Sequence, residues 1–171
     1  MYAFQKYGIE PDIVVLGKGI GNGEPVSVVV GRDDLIDSLD YGEGSDTYSG
    51  NPRACAAILA VLDTFERFPI LENCRSSSRV MAEGLNSLKE EFDFVKFVRG
   101  EGLVWGVEME SDEIATEAVL RCYLQYKSGG LGLHMMGPLA GKVLRVSPPL
   151  VIKSDEVKTG LELMRRAFAQ I

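Results

Sequence analysis

Apolar residues follow two different periods along the chain, and the change between them marks out its elements. Near the amino terminus, Ile13-Val14-Val15-Leu16 and Val26-Ser27-Val28-Val29-Val30 are short β-branched runs bounded by Pro and Gly. Such unbroken runs are what strands covered on both faces carry, so a parallel or mixed sheet is expected here. From Pro52 onward the period lengthens. Ala57, Ile58, Val61, Leu62 and Phe65 recur at helical spacing, and Pro52 stands in a first turn where its missing N–H is not needed. Pro69 interrupts this helix, and Cys74, Ser78, Met81, Leu85, Leu88 and Phe92 set out the stripe of a second.

Beyond that helix the strands shorten. Residues 94–98 and 103–109, joined by Arg99-Gly100-Glu101-Gly102, read as an antiparallel hairpin. Ile114, Ala118, Val119, Cys122 and Tyr126 mark a third helix, closed by Gly129-Gly130, and residues 143–146 form a strand running into Pro148-Pro149. Ser154 is expected to cap the last helix. Asp155 and Glu156 suit its positive first turn, Arg165 and Arg166 its negative end, and Val157, Leu161, Met164, Phe168 and Ile171 its core stripe. The expected division is residues 1–68 and 69–171.

Composition narrows the functional classes. With 171 residues, 46% hydrophobic and 25% charged, the chain can form a core. Lys plus Arg number 18 against 25 Asp plus Glu, a net charge of -7, which argues against nucleic acid or an anionic membrane as partner. No apolar run approaches the roughly 18 residues that span a bilayer, and the amino terminus lacks the layout of a secretory signal, so a cytoplasmic location is expected. Cys55, Cys74 and Cys122 are widely spaced and each falls in a helical pattern, which suggests buried free thiols. With His134 as the one histidine, no zinc-binding spacing exists and no metal site is expected.

Three segments could carry chemistry. In Leu16-Gly17-Lys18-Gly19-Ile20-Gly21-Asn22-Gly23 a lysine follows an apolar strand and stands among glycines. Ligands of α/β sheets bind beyond the carboxyl ends of strands, and glycines let a planar group approach the backbone. A partly desolvated amine there could attack a carbonyl to form an imine; the alternative is a solvated loop lysine. A phosphate loop of the Gly-x-x-x-x-Gly-Lys-Ser/Thr kind does not fit the spacing. Ser45-Asp46-Thr47-Tyr48-Ser49-Gly50-Asn51-Pro52 places hydroxyls and amides before a helix, suited to an anion, to capping by Asn51, or to both. Arg145 sits in the apolar strand Val143-Leu144-Arg145-Val146, where its planar fork would suit a carboxylate; the alternative is an outward residue paired with a surface acid. Trp105 reads as a packing residue of the hairpin and His134 as a loop residue.

Taken together these segments resemble the class III, ω-aminotransferase-like, pyridoxal-phosphate-dependent aminotransferases. Four blocks occur in family order: Tyr7-Gly8-Ile9-Glu10-Pro11-Asp12 running through Lys18-Gly19, Asp46-Thr47-Tyr48-Ser49-Gly50-Asn51-Pro52, Val98-Arg99-Gly100-Glu101-Gly102-Leu103-Val104-Trp105-Gly106-Val107-Glu108, and Leu144-Arg145-Val146-Ser147-Pro148-Pro149-Leu150. The resemblance implies an α/β fold, the carboxyl-terminal part of a fold-type I transferase: a partial large-domain sheet in 1–68 and an α+β small domain in 69–171. It implies pyridoxal 5'-phosphate as cofactor, Lys18 as the Schiff-base lysine and Thr47 as a phosphate contact reaching the other subunit of a homodimer. Asp46 is expected beside Thr47 at the cofactor, and Ser45 with Arg145 among the substrate-binding residues. The implied reaction moves an amino group from an amine or amino acid to a 2-oxo acid.

Related enzymes with the same lysine include decarboxylases, racemases, aminomutases and lyases. The family places the aspartate that pairs with the pyridine nitrogen, the glycine-rich phosphate loop and the stacking aromatic upstream of the matched blocks. The resemblance therefore implies a longer parent, with Met1 an internal methionine or false start. The alternative from another class is a non-catalytic fragment or assembly module.

Overall fold

In a computed structural model that describes residues 1–44, 46–138 and 141–171, the chain divides into two compact units, Met1–Pro69 and Ile70–Ile171. The first contains α1 (Ala3–Lys6), β1 (Ile13–Gly17), a 3-10 turn at Lys18–Ile20, β2 (Ser27–Gly31), α2 (Asp33–Ile36) and α3 (Pro52–Arg67). β1 and β2 pair antiparallel, with Val15 opposite Val29, and form a two-stranded ribbon. The parallel or mixed sheet expected from the apolar runs is thus corrected. Only residues 18–26 separate the strands, whereas a parallel crossover takes a dozen or more. Nor are the faces covered in this chain, since Val15 is 71% and Val29 57% exposed.

Arg32 closes the base of the ribbon, with Nη1 2.9 Å from Asp12 and Nη2 2.7 Å from Asp34. α3 starts as expected, the Asn51 side chain accepting the Ala54 N–H at 2.9 Å. Its stripe of Ala57, Ile58, Val61, Leu62 and Phe65 is half-buried. Arg53 in its first turn pairs with Glu24 at 2.8 Å, tying the helix to the segment that follows Lys18.

The second unit holds α4 (Ile70–Glu91), β3 (Val95–Glu101), β4 (Val104–Met109), α5 (Asp112–Leu124), a 3-10 turn at Gln125–Ser128, β5 (Val143–Val146) and α6 (Ser154–Phe168). The strands form an antiparallel sheet in the order β3-β4-β5. One face packs against helices through Leu85 and Leu88 of α4, Val107 and Met109 of β4, Cys122 of α5, Leu144 of β5 and Phe168 of α6. Each such side chain contributes on the order of 1.5–3 kcal/mol by leaving water. Phe168 meets Phe92 and Phe94 edge-on, both at 5.7 Å between centroids.

Several local expectations are corrected. The hairpin turn is shorter than the four residues expected: Glu101 still pairs with Val104, leaving Gly102 and Leu103, with Gly102 at φ +59°. In α4 the buried serine is Ser77, not Ser78; its hydroxyl donates to the Ile152 carbonyl at 2.9 Å. Ser154 is the first residue of α6 and the cap position is Lys153, whose N–H donates to the Glu156 carboxylate at 2.8 Å. Ile171 at the end of that stripe is exposed. Of the three thiols expected to be buried, Cys122 is, Cys74 is partly so and Cys55 is exposed. Among the described residues no helix is long and apolar enough to cross a membrane.

Candidate functional site

β1 delivers Lys18 to its carboxyl end, where the chain leaves extended geometry at Gly17 and turns into the 3-10 segment. Lys18 has φ +53° and Asn22 φ +47°, the two non-glycine residues with positive φ among the described residues. A left-handed conformation costs an L-residue roughly 1–2 kcal/mol, and such strain gathers where function holds it. Gly21 is required by packing, because a β-carbon there would lie 2.6 Å from Val26 Cγ2 and overlap the Glu24 carbonyl. Gly19 and Gly23 are different: a β-carbon at either would meet no atom within 4 Å. They border, with Lys18, Asn22, Glu24 and Pro25, an open depression of about 440 Å³. Lys18 is exposed, so the partial desolvation expected of its amine is not provided by this chain.

The segment before α3 is a turn tied by its own side chains. Asp46 Oδ1 accepts the Tyr48 N–H at 2.8 Å, Ser49 Oγ accepts the Asp46 N–H at 3.0 Å, and Asn51 Nδ2 donates to the Tyr48 carbonyl at 3.0 Å. The Asp46 amide, expected as an anion donor, is therefore engaged within the turn. Thr47 is exposed at its crest and takes no part in these bonds. Ser45 lies outside the described residues. Lys18 and Thr47 belong to the first unit, and no hydrogen bond joins them.

Arg145 belongs to the second unit. It stands on the sheet face away from the helices, opposite Gly106 on β4 and bridged to Met136 on its other side. Its guanidinium is exposed, so burial does not force a partner on it, and among the described residues no carboxylate pairs with it. It borders a cavity of about 280 Å³ lined by Met81, Leu133, Met135, Leu161 and Met164, with His134 and Glu156 also at the wall. His134, expected in a loop, lies in a segment without regular structure and packs edge-on to Tyr123 at 6.0 Å.

One charged group on the same sheet has a role that no linear motif announces. Glu108 on β4 accepts from Arg99 on β3 at 2.7 Å and from Lys142, just before β5, at 3.1 Å. The expected hairpin hid the first contact, because it placed Arg99 in the turn, whereas in the structure Arg99 lies on β3, diagonal to Glu108. The second, from Lys142, depends on how β5 joins the sheet.

Comparison with known proteins places the chain in a family. The family model described as "Aminotransferase class-III" matches residues 1–168. The leucine/methionine racemase of Thermococcus litoralis is 34% identical over 99% of this chain and 39% of its own length. The acetylornithine aminotransferase of Caldanaerobacter subterraneus is 32% identical over 100% of this chain and 41% of its own. The crystal structure of acetylornithine aminotransferase from Elizabethkingia anophelis superposes with a TM-score of 0.84 at 26% identity, over 99% of this chain and 41% of that one. The chain thus spans about two fifths of the length of the relatives it matches.

Proposed function

Because the chain belongs to the class III aminotransferases, we propose that it carries the lysine and the substrate-carboxylate arginine of an enzyme that transfers an amino group from an amine or amino acid to a 2-oxo acid. Its architecture is part of that family's α/β fold, and the family uses pyridoxal phosphate. The observation that carries the proposal is Lys18, held at a strained φ of +53° at the carboxyl end of β1, inside the matched region.

The residues present fit the cofactor. A primary amine stands ready for an aldehyde, and Gly19 and Gly23 leave open the space that their β-carbons would take beside it. When bound, pyridoxal phosphate supplies an aldehyde that condenses with amines and a ring that withdraws electrons from the neighbouring carbon. Lys18 Nζ would hold the cofactor as nucleophile and, when free of it, would be the base that takes the proton from the substrate carbon. Thr47 offers its hydroxyl and N–H to the phosphate held in the other subunit of a homodimer. Asp46 serves that contact by bracing the turn through Tyr48 and Ser49. Arg145 receives the substrate carboxylate through two parallel hydrogen bonds, with Ser45 as a further substrate contact. The place of action is the cytoplasm.

Mixing the purified chain with pyridoxal phosphate, reducing with borohydride and mapping the modified peptide by mass spectrometry tests the lysine assignment. A single adduct on Lys18 is expected. Labelling scattered over other lysines, or none, would overturn it.

A second reading is supported by the 34% identity to a racemase. Proton removal by Lys18 is common to both reactions; a racemase returns the proton to the other face of the same carbon. Product analysis separates them, since inversion of an amino acid without any 2-oxo acid acceptor belongs to racemisation alone.

A further inference from the structure

The outer face of the β3-β4-β5 sheet explains why Arg145 is available. Arg99 pairs with Gly106 and Gly106 with Arg145 across the two ladders, so the three positions share one face, with glycine between two arginines. Glu108, two residues along β4, lies on the same face and opposite Val143, which makes it the diagonal neighbour of Arg145. Diagonal positions lie about 7–8 Å apart, within reach of two long side chains. A carboxylate so placed would ordinarily close on the arginine.

In the structure it does not: each of its oxygens already accepts from another cation. Arg99 Nη1 lies 2.7 Å from Oε2 and Lys142 Nζ 3.1 Å from Oε1, and the Glu108 side chain is 17% exposed against 60% for Arg99 and 44% for Lys142. Glu156, a carboxylate that lines the cavity beside Arg145, accepts the Lys153 N–H through Oε2 at 2.8 Å. The same two cations, Arg99 first and then Lys142, hold the Glu108 carboxyl below its ordinary range.

We propose that Arg99 and Lys142 are positioning residues that keep Arg145 open to a substrate carboxylate by occupying both oxygens of Glu108. The inference rests on Arg145 being the carboxylate-binding arginine. Losing either cation frees one oxygen, which turns to Arg145 and competes with the substrate.

The test uses the ¹⁵N-labelled chain, with the Arg145 side-chain Nε–H resonance as one readout and binding of valerate, a simple carboxylate, as the other. Lys142→Met removes a half-exposed side chain and should leave the fold intact. It is expected to shift the Arg145 Nε–H resonance and to weaken valerate binding about tenfold. Arg99→Met should act in the same direction. Adding Glu108→Gln to Lys142→Met should restore both readouts, which loss of positive charge alone would not do. An unmoved Arg145 resonance in Lys142→Met, or weakened binding that Glu108→Gln fails to restore, would overturn the proposal. Valerate binding that survives Arg145→Ala would instead remove Arg145 from its carboxylate role, while the probe-free resonance still decides whether Glu108 closes on it.

Discussion

Gly84 of α4 sets its bare backbone against the side chain of Leu161 in α6. A β-carbon at position 84 would overlap Leu161 Cδ1 and come within 2.9 Å of Cδ2. Leu161 is buried at 7% exposure, and the room it has to turn is the cavity it lines beside Arg145. The glycine weakens α4 as a helix so that α4 and α6 can approach.

Gly84→Ala should therefore destabilise the second unit. Alanine gains about 1 kcal/mol of helix propensity, but overpacking of this kind costs about 1–3 kcal/mol. Urea unfolding followed by Trp105 fluorescence should show a lowered midpoint. A midpoint raised by the substitution would mean that the helices separate without cost.

Acid should act through Glu108. Its folded-state pKa lies below the ordinary 4.5, with Arg99 the larger cause and Lys142 the next. A carboxyl depressed on folding contributes stability that is present above the unfolded pKa and lost as pH falls through the folded one. Between about pH 7 and about pH 3, wild type should lose more stability than Glu108→Gln. Glu113 and Glu162 are depressed as well, but they are shared by both proteins and cancel in the difference. Equal losses would contradict the role given to this ion cluster.

Thiol reactivity should be graded. Cys55 is exposed, the Cys74 thiol is raised by burial and donates to the Leu150 carbonyl at 3.4 Å, and burial pushes Cys122 up to about 12. Since the thiolate is the reactive form, maleimide should label Cys55 first, Cys74 more slowly and Cys122 only on unfolding. Peptide mapping of a time course reads this directly, and early labelling of Cys122 would be inconsistent with the core described above.

Lys18 should show function and stability in opposition. Lys18→Gly relieves the left-handed strain and should stabilise the first unit by up to about 1 kcal/mol; on the role proposed for Lys18, the same change in the enzyme should lower amino transfer by roughly four orders of magnitude. Chemical denaturation and an amino-transfer assay measure the two effects. Full activity without Lys18 would end its assignment as nucleophile and base.

Much of this was legible in the sequence. The stripes of α3, α4 and α6, the β3-β4 hairpin and the strand bearing Arg145 follow from periodicity, because helix and strand present their side chains at fixed intervals set by the backbone. The four blocks around Lys18, Thr47, Trp105 and Arg145 carry the resemblance to the family, because their residue types recur in a fixed order that a sequence displays directly. Other features depend on which segments meet in space. The antiparallel pairing of β1 and β2, the burial of Ser77 in place of Ser78, and the exposure of Cys55 arise from neighbours that an apolar pattern does not name. The capture of Glu108 by Arg99 and Lys142 is of this kind too. A linear pattern records which side chains share a face; the partner that covers or binds that face is set by packing between residues far apart along the chain.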